Sequence, residues 1–180
     1  MKQTVSPGCT TGPFFPVAFS DGSEDLTHRD GKTALGQHIV LTGRVTELGG
    51  KPARNMVVEI WQTDANGIFR HPLDPRQQDC DPGFWCWGRS RTDADGVYRF
   101  MTIIPGAYEN RAPHINVAIL GIGLTRRLVT NIFFAARADV VLDCVPAELR
   151  PRLIAKPEGD GVYRFDVIMR GENETPFFVD

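Results

Sequence analysis

The chain lacks a charge of one sign. Its 180 residues carry 20 Lys and Arg against 22 Asp and Glu, a formal net charge of −2. That balance excludes the basic field by which proteins gather on nucleic acid or anionic membrane, and pairs such as Arg126-Arg127 read as solvated surface. No stretch approaches the roughly 18 apolar residues of a membrane helix. No apolar run follows Lys2, so no signal peptide is expected. Cysteine is scarce, and Cys9, Cys80, Cys86 and Cys144 form no C-x-x-C pair and no zinc spacing. Cys80 and Cys86 are spaced to bridge in an oxidising compartment, but reduced cytoplasmic thiols are the expectation. There is no P-loop, no dinucleotide fingerprint and no Ser-His-Asp order. Repeats and low-complexity tracts are absent too.

What is present is an ordinary globular composition, 42% hydrophobic and 23% charged, in a length that suits one domain with a real core. The 18 Gly and 13 Pro are spread out, as short strands joined by turns require. Residues 1–37, rich in Gly, Pro, Ser and Asp, predict an extended N-terminal arm that must lie on its own domain or on a neighbour. Strand patterns then begin. "HIVLTGRV" puts Ile39, Leu41 and Val45 on one face, and "NMVVEIWQ" is rich in branched and aromatic residues. The turns "TDANG" and "TDADG" each precede an expected aromatic strand, "IFRH" and "VYRFMTI". "INVAIL", "LVTNIFF" and "GVYRFDVIMRG" complete the set. One short late helix is expected over Pro146 to Lys156, capped by Asp143, with Leu149 and Leu153 sharing a face and Pro151 limiting its length. The fold class that follows is all-β, an antiparallel β-sandwich over residues 38–180.

One stretch carries chemistry: "PGAYENRAPHINVAI". Tyr108 lies six residues before His114, and Asn116 shares the strand face of His114. A phenolate and an imidazole converging on one point suit ferric iron, whereas a carboxamide at the next imidazole position does not. "FWCWG", Phe84 to Gly88, is a dense aromatic cluster fit for core or interface. Phe177 and Phe178 are candidates to dock on a partner. His71, in a loop, is expected to be exposed.

In this order "GRVTELGGKPARNMVVEIWQTDANGIFRH", "SRTDADGVYRFMTIIPGAY", "APHIN" and "LIAKPEGDGVYRFDVIMRGENETPFF" resemble the intradiol ring-cleaving dioxygenases, from about Gly8 to the C-terminus. The likeness is greatest to their protocatechuate-cleaving branch, built from homologous alpha and beta subunits. There the beta chain holds one ferric ion with two tyrosines and two histidines. At the matching positions this chain has Phe69, Tyr108, His114 and Asn116, so two donors are missing. The resemblance therefore implies an alpha-type chain that binds no metal itself. Fe(III) would be held by a homologous beta subunit, in an alpha–beta hetero-oligomer that takes protocatechuate and dioxygen to 3-carboxy-cis,cis-muconate. It also implies substrate-binding roles for the "TTGPF" turn, through Thr10, Gly12 and Pro13 beside the partner's iron, and for Asn131, where some relatives carry an arginine for the substrate carboxylate. Read without the family, "TTGPFFP" is a tight turn pinned by aromatics on its own domain, and Tyr108 and His114 are fillers of an old cavity. Two rivals stay open: a self-sufficient dioxygenase built on Tyr108 and His114, and a non-catalytic sandwich of transthyretin-like type.

Overall fold

The computed structural model describes Thr10, Gly12 and residues 22–178. A small hairpin, β1 (His28–Arg29) with β2 (Lys32–Thr33), precedes two packed sheets. In the first, β3 (His38–Thr46) is central. One of its edges pairs antiparallel with β6 (Val97–Ile103). The second sheet runs in the order β5 (Trp87–Arg91), β4 (Val57–Trp61), β7 (His114–Leu120), β8 (Leu128–Phe133), antiparallel throughout. Period-2 alternation sends Ile39, Leu41 and Val45 from one sheet and Val58, Ile60, Ile115, Val117 and Ile119 from the other into a shared core. No helix among the described residues is long and apolar enough to cross a membrane.

The all-β sandwich is as expected, with four local differences. The far edge of β3 is filled by the chain's end, β10 (Val162–Arg164) and β11 (Val167–Ile168), which pair with it parallel, and β9 (Lys156–Gly159) adds to β10. The antiparallel edge was already taken by β6, so the returning chain docks on the other. "IFRH" is a loop, not a strand. Its amides are claimed by side chains: Ile68 N–H donates to Asp64 Oδ1 (3.0 Å) and Phe69 N–H to Asp74 Oδ2 (3.0 Å). A strand unforeseen in the sequence, β5, takes the edge instead. The helix expected over Pro146 to Lys156 is a single 3-10 turn, Arg150–Leu153, because Pro151 lacks the amide an α-helix needs. Asp143 does not cap it and pairs with Arg150 (3.1 Å).

Part of the arm is bound to its own domain. Leu26 is fully buried, and its amide donates to the Met101 carbonyl (2.9 Å). Of the C-terminal aromatics, Phe177 packs on the main core and Phe178 on the Phe133–Leu153 cluster, each half-buried.

Two buried knots hold the loops at one end of the second sheet. In the first, Gln62 Nε2 donates to the Ile103 carbonyl (2.9 Å), its Oε1 accepts from Thr102 (2.7 Å), and Thr63 Oγ1 donates to the Gly106 carbonyl (2.8 Å). The Gly106 amide returns a bond to the Asp64 carbonyl (2.8 Å). Gly67 sits at φ +75°, and a Cβ there would collide with the Ala107 carbonyl. Only a glycine lets the 64–69 loop lie directly on the 105–108 loop. In the second knot, Asp139, whose side chain is wholly buried, accepts from Arg111 Nε (2.8 Å) and from the amides of Ala112, Val141 and Leu142. Burial alone would raise its carboxyl; the Leu142 amide, Arg111 and the other donors outweigh that and hold it below the usual 3.8.

Removing Asp139 leaves a largely buried guanidinium and three amides without their acceptor. Asp139→Ala is expected to cost ~3–5 kcal/mol in urea unfolding. A carboxyl lowered by folding stabilises fully above its unfolded value and loses that contribution as pH falls through its folded one. Acid titration of the native protein should therefore show a stability loss below about pH 4 that is smaller in the variant. Tyr98, fully buried, donates to the Phe165 carbonyl (2.6 Å) where Gly43 passes too close for any Cβ. Tyr98→Phe should cost about 1–3 kcal/mol in the same assay, with Phe165 left unsatisfied.

Candidate functional site

A cleft of about 1110 Å³ opens on the outer face of the second sheet, walled by Trp61, Phe69, Trp87, Tyr108, Asn116 and Arg127 among others. The two knots set its inner end. The Asp64 turn projects Phe69, the Gly106 turn projects Tyr108, and β7 carries His114 and Asn116. Phe69 and Tyr108 meet edge to face at 5.0 Å between centroids, and Tyr108 meets His114 at 5.6 Å. Trp61 extends the stack from Phe69 (5.8 Å) and His71 (5.3 Å), and Phe133 closes it behind His114 (5.6 Å). The four positions singled out in the sequence, Phe69, Tyr108, His114 and Asn116, thus lie together. His71 is half-buried against Trp61, not exposed.

The donor chemistry of that group is thin. His114 is 2% exposed, and its Nδ1 lies 2.7 Å from the Ala112 carbonyl. A carbonyl only accepts, so Nδ1 carries the proton and Nε2 presents a lone pair. Nε2 is buried without a hydrogen-bond partner. Burial lowers the His114 pKa, with the nearby Arg111 cation pushing the same way, so the ring is neutral at pH 7. Burial raises the Tyr108 phenol, against a smaller pull from Arg111, so the hydroxyl stays protonated. Phe69 has no donor atom. Asn116 is engaged at both ends of a neutral amide: its Nδ2 donates to the Trp61 carbonyl (3.1 Å) and its Oδ1 accepts from Asn131 Nδ2 (2.8 Å). Asn131 is the register partner of Asn116 and is 6% exposed. These residues do not fit Fe(III), a hard cation that wants anionic oxygen. One neutral phenol, one imidazole nitrogen, a phenyl ring and a committed amide are no ferric shell.

The remaining expected residues are dispersed. Thr10 lies at the β7–β8 turn, where its hydroxyl accepts from the Gly123 amide (2.7 Å). Gly12 is exposed with open space around it. Pro13 lies outside the described residues. Asn131 sits behind Asn116 rather than lining the cleft. "FWCWG" splits by period 2: Phe84 and Cys86 enter the core while Trp85 and Trp87 stay partly exposed, under Arg29 (5.0 Å) and Arg89 (4.4 Å). Sequence reasoning missed Trp61 and the Gln62–Asp64 and Arg111–Asp139 knots. The available signal was "WQTD", three polar residues in a row at the end of an apolar strand.

The family model described as "Dioxygenase" matches residues 10–171. A protocatechuate 3,4-dioxygenase beta chain from Burkholderia cepacia is 40% identical, over 84% of this chain and 73% of its own. The alpha chain of that name from the same organism is 35% identical over 99% of this chain and 98% of its own, and one from Pseudomonas putida 31% over 96% and 95%. Among solved structures, the dioxygenase domain of a dioxygenase carbohydrate-binding protein fusion from Streptomyces sp. SirexAA-E superposes with a TM-score of 0.59 at 24% identity, covering 90% of this chain and 96% of that one. An intradiol ring-cleavage dioxygenase from Tetranychus urticae gives 0.60 at 19%, covering 81% and 84%. The fold likeness, the ordered motifs and the end-to-end matches agree: the chain belongs to the intradiol ring-cleaving dioxygenase family.

Proposed function

We propose that this chain is the alpha-type subunit of a protocatechuate 3,4-dioxygenase, and that a homologous beta-type subunit holds the ferric ion. The observation that carries this is the state of Asn116. Its neutral amide is bonded at both ends within the sheet, while Phe69 offers no oxygen. The match to an alpha chain over nearly the full length of both supports it. In this reading the chain contributes contact area, cavity walls and exclusion of water, while ring opening of protocatechuate by dioxygen belongs to the partner's centre. Thr10, Gly12 and Pro13 lie in the arm that reaches the partner's substrate cavity. Asn131 is a neutral residue already bonded to Asn116, so attraction of the substrate carboxylate would fall to other residues.

A second reading has two observations in its favour: the 40% identity to a beta chain, and the unpartnered Nε2 of His114. In it the chain would bind iron alone, through Tyr108, His114 and further ligands.

Metal analysis separates the two. The chain purified alone should carry no stoichiometric iron and open no dihydroxybenzoate ring. Co-expression with a homologue bearing both tyrosines and both histidines should yield an iron-containing complex that does. A coloured, active preparation of the single chain would sink the proposal. Asn116→His by itself should not confer iron, since Phe69 still lacks oxygen; metal uptake by that variant would show the site to be nearer completion than described. Deleting residues 1–19 should lower kcat/KM of the complex on the order of tenfold to a hundredfold while barely moving the melting temperature of this chain. An undiminished rate would remove the arm from the substrate cavity.

A further inference from the structure

We propose that Cys80 and Cys86 form a redox site, oxidised by a peroxide to an intramolecular disulfide that clamps the loop forming one wall of the cleft. The two sulfurs lie 3.6 Å apart, and both residues are free thiols buried in the core. Rotation about their χ1 bonds brings such a pair within reach of the ~2.05 Å disulfide bond. The fold presents them deliberately. Cys80 closes the 3-10 turn Gln77–Asp79, with its amide donating to Gln77 (3.2 Å). Cys86 stands just before β5 at φ +62°, a left-handed conformation unfavourable for a side-chain-bearing residue. Between them the chain turns back on itself. Arg70 braces that turn, donating from Nε to the Phe84 carbonyl (3.2 Å) and from Nη2 to the Asp81 carbonyl.

The two thiols are unequal. Contact with the Cys86 sulfur and the nearby Arg70 cation lower Cys80 against its burial, while contact with Cys80 and burial push Cys86 up. Cys80, which lines a depression beside the Gln77–Asp79 turn, is assigned as the attacking sulfur and Cys86 as the resolving one. That depression, which also holds Arg70, Pro72, Gln77 and Pro82, adjoins the main cleft, which Cys86 lines, so a small oxidant can reach the pair from the surface. The Cys80 thiolate attacks hydrogen peroxide. An S–O bond forms, the O–O bond breaks, and the departing hydroxide takes a proton to become water. The Cys86 sulfur then attacks the Cys80 sulfenic acid. The S–S bond forms, the S–O bond breaks, and the Cys86 proton leaves with hydroxide as a second water. Two thiols and one peroxide become one disulfide and two waters, and a dithiol returns the two electrons.

The consequence is mechanical. Residues 69–80 contribute Phe69, Arg70, His71 and Asp74 to the cleft wall. A bond from Cys80 to the start of β5 fixes the far end of that wall to the sheet. The inference does not depend on where iron resides.

The test uses the full chain with Cys9→Ser and Cys144→Ser, leaving this pair, beside the unaltered chain followed by peptide mapping. After peroxide under native conditions, both thiols should disappear together. The monomer should be lighter by two hydrogens, dithiothreitol should restore both thiols, and amide exchange over residues 69–80 should slow several-fold. Adding Cys80→Ala should leave Cys86 reduced. Thiols that both survive peroxide, oxygen added to one sulfur with the other free, or bridges only between chains would each overturn the site. A disulfide that leaves exchange over 69–80 unchanged would overturn the clamp, and oxidation of Cys86 without Cys80 would overturn the assignment of the attacking sulfur.

Discussion

The site depends on three consecutive polar residues having no water. Gln62, Thr63 and Asp64 are at most 1% exposed, at the point where an apolar strand of the second sheet ends. Burying such groups costs several kcal/mol unless every bond is made, and here the bonds are made to β6, to the Gly106 turn and to the loop at Asp81. The requirement to satisfy one short run therefore fixes where the end of β6, the Gly106 turn and the Asp81 loop lie. Gly67 and Gly106 remove the side chains that would keep those loops apart. The Phe69–Tyr108 contact is a product of this knot. Asp139 does the equivalent on the other flank, seating Arg111 and the strand that starts at His114.

This division separates the frame from the side chains it presents. The knots use backbone groups and buried or largely buried side chains, none of them Phe69, Tyr108, His114 or Asn116. Phe69 brings no polar atom to the aromatic stack and packs edge to face on Tyr108. The same stack shields His114, so that its Nε2 keeps the outlook of a ligand without any neighbour of matching charge. The frame and the donors it presents thus rest on different residues.

What was legible in the sequence divides along the same line. β3, β6 and β7 were visible because period-2 burial writes itself directly into residue type, as in Ile39, Leu41 and Val45, and β8 because its run is rich in branched and aromatic residues. "IFRH" misled because composition reports the apolar demand of a segment but not who takes its amides; Asp64 and Asp74 took them. β5 was hidden because Gly88, Arg89, Ser90 and Arg91 carry no strand signature, and the strand exists as an edge paired only to β4. The parallel docking of β10 and β11 depends on which edge of β3 is free, a fact about topology that no local window contains. At the site, residue types at four spaced positions told which donors were missing. Nothing in the chain's order told that Asn116 and Asn131 face each other, since that pairing is a matter of register between strands.

That register ties Asn116 into the sheet. In the row Trp61, Asn116, Asn131 across β4, β7 and β8, the Asn116 amide donates one way and accepts the other, so the row is closed. An imidazole placed at 116 cannot both receive from Asn131 and donate to the Trp61 carbonyl while offering a lone pair to a cation, because two ring nitrogens cannot serve three partners. At least one of those partners would lose its bond before any metal arrived. Phe69, half-buried on the wall of the open cleft, would still offer no oxygen. The amide row is thus held by the hydrogen-bond register of the sheet, independently of any metal.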